Sequence, residues 1–343
     1  MIEVLLFIVL IFVINFLLKK KNLLSNNTGQ LHQTYVQEYY VPLSGGLFIL
    51  IFFYFNNQYF DFNLIIYLSI FFLLGLLTDL HIIKSPAYRF LLQILLLLLF
   101  LVHHEIVIND IRIDWFNNLL KNYYFNIFFV LFCFLVLING TNFVDGNNGI
   151  SLGYFLIIFI LIFFLIDKNL ILYEENFLIS FIITLIILLI FNLLNQLYLG
   201  DSGAYLLSLF SGYILIDIFF LNQNLSPYFI VNIFWYPAFE ILFSLIRKMK
   251  TKYSPLMPDT LHFHQLLFFY YFKKMNLSKS FLNSLTGLSI NLFNGTILYF
   301  ASLNLNNTKI QITFLFFSVI IYMIIYYTLL KFKKLTEQNK KQS

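Results

Sequence analysis

The chain has 343 residues, 60% of them hydrophobic and only 11% charged, with a formal net charge of +5 and a mean hydropathy of +0.84. A soluble domain is usually about half apolar and about a quarter charged, so this composition excludes a water-soluble globular protein and points to an all-α polytopic membrane protein. The single cysteine, Cys133, sits inside an apolar run, which excludes an intramolecular disulfide or a cysteine-based metal cluster.

Apolar segments fall at about 2–18, 41–56, 62–77, 89–102, 125–138, 151–166, 177–192, 204–221, 229–246, 282–302 and 311–330, giving about eleven expected transmembrane helices. The first contains Glu3, and its basic residues, Lys19, Lys20 and Lys21, follow it, so it reads as a retained span rather than a cleaved signal peptide. With the N-terminus outside, 17 of the 21 Lys and Arg residues fall in cytoplasmic connections or the C-terminal tail, and only Arg112, Lys121, Lys168 and Lys309 fall outside. The positive-inside rule therefore favours an outside N-terminus, a cytoplasmic C-terminus and an odd number of spans. No internal repeat or separate soluble domain is visible, so residues 1–343 read as a single integral membrane domain.

This topology places four polar clusters on one face, at the third, fifth, seventh and ninth connections. The first is Thr78-Asp79, with His81, Lys84 and Arg89 behind it. A carboxylate at a helix end commonly pairs with nearby basic groups, but here it also suits metal binding or proton acceptance from an attacking phosphate. The second runs from Asn139 to Gly149. Asn139, Asn142 and Asp145 are three apart and share one broad helical face. Their amides suit a nucleobase or phosphate, Asp145 a metal or a ribose hydroxyl, while Gly146 and Gly149 permit positive φ and close approach of a ligand. Such polar density at a membrane helix end costs free energy unless water, a ligand or a metal satisfies it.

The third cluster is Gly200-Asp201-Ser202-Gly203. Asp201 stands where a helix N-cap would be, and it suits Mg²⁺ equally, an ion that takes one or two carboxylates together with substrate phosphates and water. The fourth holds Arg247, Lys248, Lys250 and Lys252, then Pro258-Asp259 and His262-Phe263-His264. The lysines read as lipid-facing or topological charges. The two His rings are expected to project to opposite sides, one toward a phosphate and one into packing. Of the two acids inside spans, Glu240 is seven residues before Arg247 on the same face, where an interior network facing the site is plausible, and Asp217 lies near the outer end of its helix. His103 and His104 read as structural.

Together these motifs resemble the polyprenyl-phosphate N-acetylhexosamine-1-phosphate transferases of glycosyltransferase family 4, which include WecA-like and MraY-type members. The likeness runs from Pro42-Leu43-Ser44-Gly45-Gly46 to His264, with His32 upstream. It is carried by Asn139, Asn142, Asp145, Gly146, Asn148 and Gly149; by Gly200, Asp201 and Gly203; by Thr78-Asp79, Ser85-Pro86 and Arg89; and by Pro258, Asp259, His262 and His264. It is stronger on the WecA-like side. Two positions depart from the family pattern: Thr78 stands for the first acid of an Asp pair, and Asn148 for the second acid of the Asp-Gly element.

The resemblance implies transfer of a sugar-1-phosphate, expected to be N-acetylhexosamine-1-phosphate, from a UDP-sugar to polyprenyl (undecaprenyl) phosphate, releasing UMP at the start of a lipid-linked cell-envelope glycan. Asp79, Asp145 and Asp201 are the implied catalytic residues. Asn139, Asn142, Asn148, Arg247, His262 and His264 are the implied substrate-binding residues, and Asp201 with Asp145 would hold Mg²⁺, for which Mn²⁺ is an admissible substitute. It further implies a multi-pass protein of the inner (plasma) membrane, compatible with a homodimer and with no nucleic-acid partner. The nearer alternative is a phospho-N-acetylmuramoyl-pentapeptide transferase, with the same chemistry on a larger donor. The farther is a polytopic transporter or flippase, which would place ionisable residues near the bilayer midplane of several helices.

Overall fold

The computed structural model describes residues 2–24, 41–165, 174–250 and 260–342, and among these it is all-helical. The helices are α1 (Ile2–Lys20), α2 (Gly45–Phe55), α3 (Phe62–Asp79), α4 (Pro86–His103), α5 (Asp114–Leu120), α6 (Tyr123–Val144), α7 (Ile150–Leu165), α8 (Glu175–Leu193), α9 (Gly200–Leu221), α10 (Pro227–Lys250), α11 (Phe263–Lys274), α12 (Lys279–Ser302) and α13 (Thr308–Gln342). Each of the eleven apolar segments coincides with one of them; α5 and α11 are the short additions. Seven of the described helices are long and apolar enough to cross a membrane: α3, α4, α6, α8, α9, α10 and α13. α2 and α7 are apolar but shorter.

Helix boundaries follow local chemistry. Ser85 accepts from the Tyr88 amide at 3.3 Å and Pro86 occupies the first helical position of α4, so the Ser-Pro motif is a helix start. Asn122 caps α6 and Ser278 caps α12 in the same way.

α9 is the central post. From Ser202 to Gly212 every residue is buried, against α2, α3 and α6. Phe53, Phe159, Phe177, Phe181 and Phe210 form a ring cluster beside it, with Phe53 and Phe210 centroids 4.5 Å apart. Aromatic edges and faces supply specific packing where lipid tails are as apolar as the side chains themselves.

At the motif end of α9, main chains replace side chains as the contact. A Cβ on Gly46 would lie 2.5 Å from the Gly203 nitrogen, and one on Gly75 would lie 2.3 Å from the Ser202 Cα. The Gly45 amide donates to the Tyr198 carbonyl at 2.9 Å and the Gly46 amide to that of Leu199 at 3.1 Å. The segment from Pro42 to Gly46 is thus docked against the residues that lead into α9. Small residues are what lets membrane helices approach this closely.

At the opposite end the loops are stapled by Arg112, itself at φ +59°. Its guanidinium donates to the Asn224, Leu225 and Asn306 carbonyls and to the Thr308 hydroxyl.

Candidate active site

The C-terminal ends of α3, α6 and α10 and the N-terminal ends of α4 and α9 meet at one end of the bundle, and the four polar clusters meet with them. Asp79 is the last residue of α3 and only 7% exposed. Its carboxylate accepts from the Asp201 amide at 2.9 Å, from the Ser202 amide at 3.1 Å and from the Ser202 hydroxyl at 2.9 Å. Asp79 therefore caps α9 from a different helix, satisfying amides that a helix N-terminus leaves open. Gly200, at φ +75°, brings the chain into that position, and a Cβ there would lie 2.8 Å from Asp79 Oδ2.

This corrects the expectation that Asp201 is a candidate N-cap. Asp201 lies inside the first turn and makes no capping bond. With the cap supplied by Asp79, the Asp201 carboxylate is left to act outward. It forms an ion pair with Arg89 at 2.9 Å, both side chains remaining partly exposed, and Asn142 approaches it from α6. Arg89 was expected to stand behind Asp79; it spans to Asp201 instead.

Asp145 ends α6 half-buried, beside the Ser151 hydroxyl and within the fields of Asp201 and Asp79. Burial, reinforced by those two carboxylates, pushes its pKa well above the ordinary carboxylate range, against a lowering by the Ser151 hydrogen bond. Among the described residues no three His, Cys, Asp or Glu side chains converge as a metal-ligand set, so Asp79, Asp145 and Asp201 do not form a three-carboxylate cage. What remains is two acids within each other's field, Asp145 at the end of α6 and Asp201 in the first turn of α9, with Arg89 paired to Asp201. That donor set fits Mg²⁺, whose other ligands are ordinarily water and substrate phosphates.

The asparagines divide. Asn142 faces the carboxylates. Asn139 donates to Gln93 Oε1 on α4 at 2.8 Å and to the Leu135 carbonyl at 2.9 Å, locking α6 to α4. Asn148 is 3% exposed and donates to Asn195 Oδ1 at 2.8 Å. Around it Asn192 accepts from the Gly149 amide, Asn291 donates to the Gly149 carbonyl, and Asn147 donates to Asn283. Asn148 thus holds the loop from behind rather than lining its open side. Gly149 has the positive φ expected of it, +81°. Gly146 does admit a close neighbour, but the neighbour is protein: a Cβ there would lie 2.3 Å from His264 Nε2.

His262 and His264 are buried, at 6% and 2% exposure, and their rings stack at 5.7 Å and 10°. The expectation of opposed rings fails because His262 is the extended N-cap of α11 and His264 already lies in its first turn, so the chain turns between them. His262 Nδ1 lies 3.5 Å from Glu240 Oε1, the same oxygen that accepts from the Phe263 amide at 3.1 Å, while the Tyr322 hydroxyl donates to Oε2. Glu240 thereby ties α10, α11 and α13 together and serves as the interior network expected of it.

Three contributors escaped the sequence reading. Gln93 is fully buried one turn after Arg89, a polar residue in an apolar helix and thus a readable signal. Lys248 is 4% exposed with its ammonium 5.6 Å from the Phe143 ring centre, and Phe143 in turn packs edge-on against His262. Nothing in the spacing separates Lys248 from Lys250. Asn283 comes from α12, far from any motif. Lys252, Pro258, Asp259 and His32 lie outside the described residues.

The model of glycosyl transferase family 4 matches residues 62–219, which contain Asp79, Arg89, Asn139, Asn142, Asp145 and Asp201. The undecaprenyl-phosphate alpha-N-acetylglucosaminyl 1-phosphate transferase of Thermotoga maritima is 27% identical over 230 residues, covering 66% of this chain and 67% of that protein. Over residues 62–219 the chain is thus similar to glycosyl transferase family 4. The chain is an all-helical polytopic membrane protein, and the matched stretch carries the three acids, while the histidines of α11 lie beyond it.

Proposed function

We propose that this chain is a family 4 transferase that moves N-acetylhexosamine-1-phosphate from a UDP-sugar to a polyprenyl phosphate in the membrane. The observation that carries this reading is the division of labour between Asp79 and Asp201: one buried acid caps α9 so that the other presents its charge, with Arg89, at the end of a membrane bundle. A phosphoryl acceptor held in the bilayer and a soluble nucleotide sugar can meet only at such a boundary. The name of the Thermotoga maritima relative supports the same substrate class.

In the proposed reaction an oxygen of the carrier phosphate bonds to the β-phosphorus of the nucleotide sugar. The bond from that phosphorus to the oxygen bridging the α-phosphate breaks, and UMP leaves with the electron pair. Asp201 and Asp145 would hold Mg²⁺, which supplies charge neutralisation at the transferring phosphoryl group. Arg89 adds fixed positive charge beside Asp201, favouring the dianionic leaving phosphate. Asn142 orients the donor. Arg247, His262 and His264 hold the diphosphate and sugar, with His262 set by Glu240. Asp79 keeps the α9 terminus in place and aligns the carrier phosphate through it. Asn139 and Asn148 position the two sides of the 139–149 element.

The test uses membranes containing the protein, undecaprenyl phosphate, Mg²⁺ and a panel of UDP-sugars, scored for UMP. Release that needs lipid, one donor of the panel and a divalent cation, and that stops with EDTA, is the expected result. Folded protein that releases no UMP from any UDP-N-acetylhexosamine, beside an active control enzyme, would remove the reading.

A further inference from the structure

The corner between α11 and α12 is built from alternating basic and apolar side chains that the site does not use. Lys273, Lys274 and Lys279 are exposed, and no carboxylate among the described residues pairs with them. Their ammonium groups lie over aromatic rings instead: Lys273 over Phe269 and Phe272, Lys279 over Phe272 at 5.8 Å, and Lys274 over Phe332 of α13 at 5.6 Å. Lys333 of α13 lies 5.8 Å from the Phe269 ring centre, so three helices contribute to one patch. The same corner exposes Phe272 at 41%, Met275 at 39%, Leu277 at 46% and Phe281 at 55%.

Neither half of this chemistry suits water alone. Four large exposed apolar side chains between the end of α11 and the start of α12 are favoured only where something apolar covers them. Lysines stacked on rings keep their full charge and three donors each, which suits a phosphate. Apolar groups and cations interleaved along this corner match the boundary where acyl chains give way to headgroups. A free nucleotide would satisfy the lysines and leave Met275, Leu277 and Phe281 in water. The corner also lies at the motif end: α12 begins there, and its Ser280 bonds Asn195 behind the 139–149 loop.

We propose that the α11–α12 corner is a binding site for the headgroups of anionic phospholipids in the leaflet on the catalytic side. α11 has twelve residues, about 18 Å at 1.5 Å per residue, with this corner at one end and His262 and His264 at the other. The binding claim is independent of the transferase reading.

The probe is phosphatidylglycerol in nanodiscs of phosphatidylcholine, with the full chain as wild type, as a Lys273→Gln/Lys274→Gln/Lys279→Gln variant and as the corresponding Lys→Arg variant. Lipid co-purifying after exchange is counted by mass spectrometry, and melting temperature is followed as phosphatidylglycerol is titrated. Phosphatidylglycerol retention should fall about fivefold per lysine removed, the factor equivalent to about 1 kcal/mol per basic residue at an anionic surface. The Arg variant should retain it. A Gln variant that holds phosphatidylglycerol and gains melting temperature as wild type does would overturn the proposal. So would a wild type that responds to undecaprenyl phosphate and not to phosphatidylglycerol. Loss of lipid response with intact UMP release, or the reverse, separates this site from the transferase reading.

Discussion

The two ends of the helix bundle are both dense in hydrogen-bonding side chains, and they spend them differently. At the end stapled by Arg112, polar groups close loops: four bonds from one guanidinium, and Asn126 joined to the Ile108 backbone and the Leu120 carbonyl. Asp110 there likewise holds the chain, accepting from the Arg112 amide and from the Asn117 side chain. At the motif end the capping is done by one acid, Asp79, and a second, Asp201, is left facing a cation at the surface. Polar density alone does not mark a site. A carboxylate relieved of structural duty by another residue does.

The sharpest way to break this comparison is Asp201→Asn. With α9 still capped by Asp79, the variant should melt within a degree or two of wild type and lose about 1,000-fold in UMP release, the scale of removing a preorganised charged group from a phosphoryl-transfer site. Near-normal turnover would dissolve the distinction between the two acids.

Next come Asp79→Ala and Arg112→Ala, one from each end. Asp79→Ala leaves two buried amides and a hydroxyl without their acceptor, at about 1–3 kcal/mol for each unsatisfied group, so melting temperature and activity should fall together. Arg112→Ala should lower the melting temperature comparably while leaving UMP release per folded molecule unchanged. If both variants behave alike in activity, the ends are not functionally distinct.

The smallest effect is one of sign. Burial holds the Asp145 carboxyl well above the ordinary range, so the folded chain keeps that proton to higher pH than the unfolded chain does. Stability is therefore lost as pH climbs from the ordinary carboxylate range toward the raised value, and it stays lost above it. In metal-free buffer, Asp145→Asn should melt higher than wild type at neutral pH and equal to it in acid, while its UMP release falls. A variant less stable than wild type at neutral pH would show that Asp145 is a structural group.

Much of this is legible in the sequence, and the reason lies in cost. An ionisable group at the end of an apolar helix is expensive enough that Asp79, Asp145, Asp201 and the His262–His264 pair stand out by position alone. Their convergence followed from charge bias, which put all four clusters on one face. The partnerships did not follow. Asp79 and the Asp201 amide are 122 residues apart, and a capping carboxylate has the same local sequence as a metal ligand. In an asparagine-rich chain, Asn142 facing the carboxylates and Asn148 buried behind the loop differ in nothing a sequence displays. The stacking of His262 on His264 depended on where α11 begins, a boundary of one residue.

The glycine contacts at the α9 terminus carry a consequence for how such an enzyme diversifies. Because Gly46 and Gly75 press main chain against Gly203 and Ser202, the separation of α3 from α9 has no rotamer to adjust it. One added methyl at position 75 would displace an entire helix, so this wall offers selection no small steps. The facing wall is made of rings, with Phe143, His262 and Tyr322 in edge and stacked contacts that admit other shapes. New donor preferences are therefore expected to accumulate around the start of α11, while the acid-bearing wall is inherited whole.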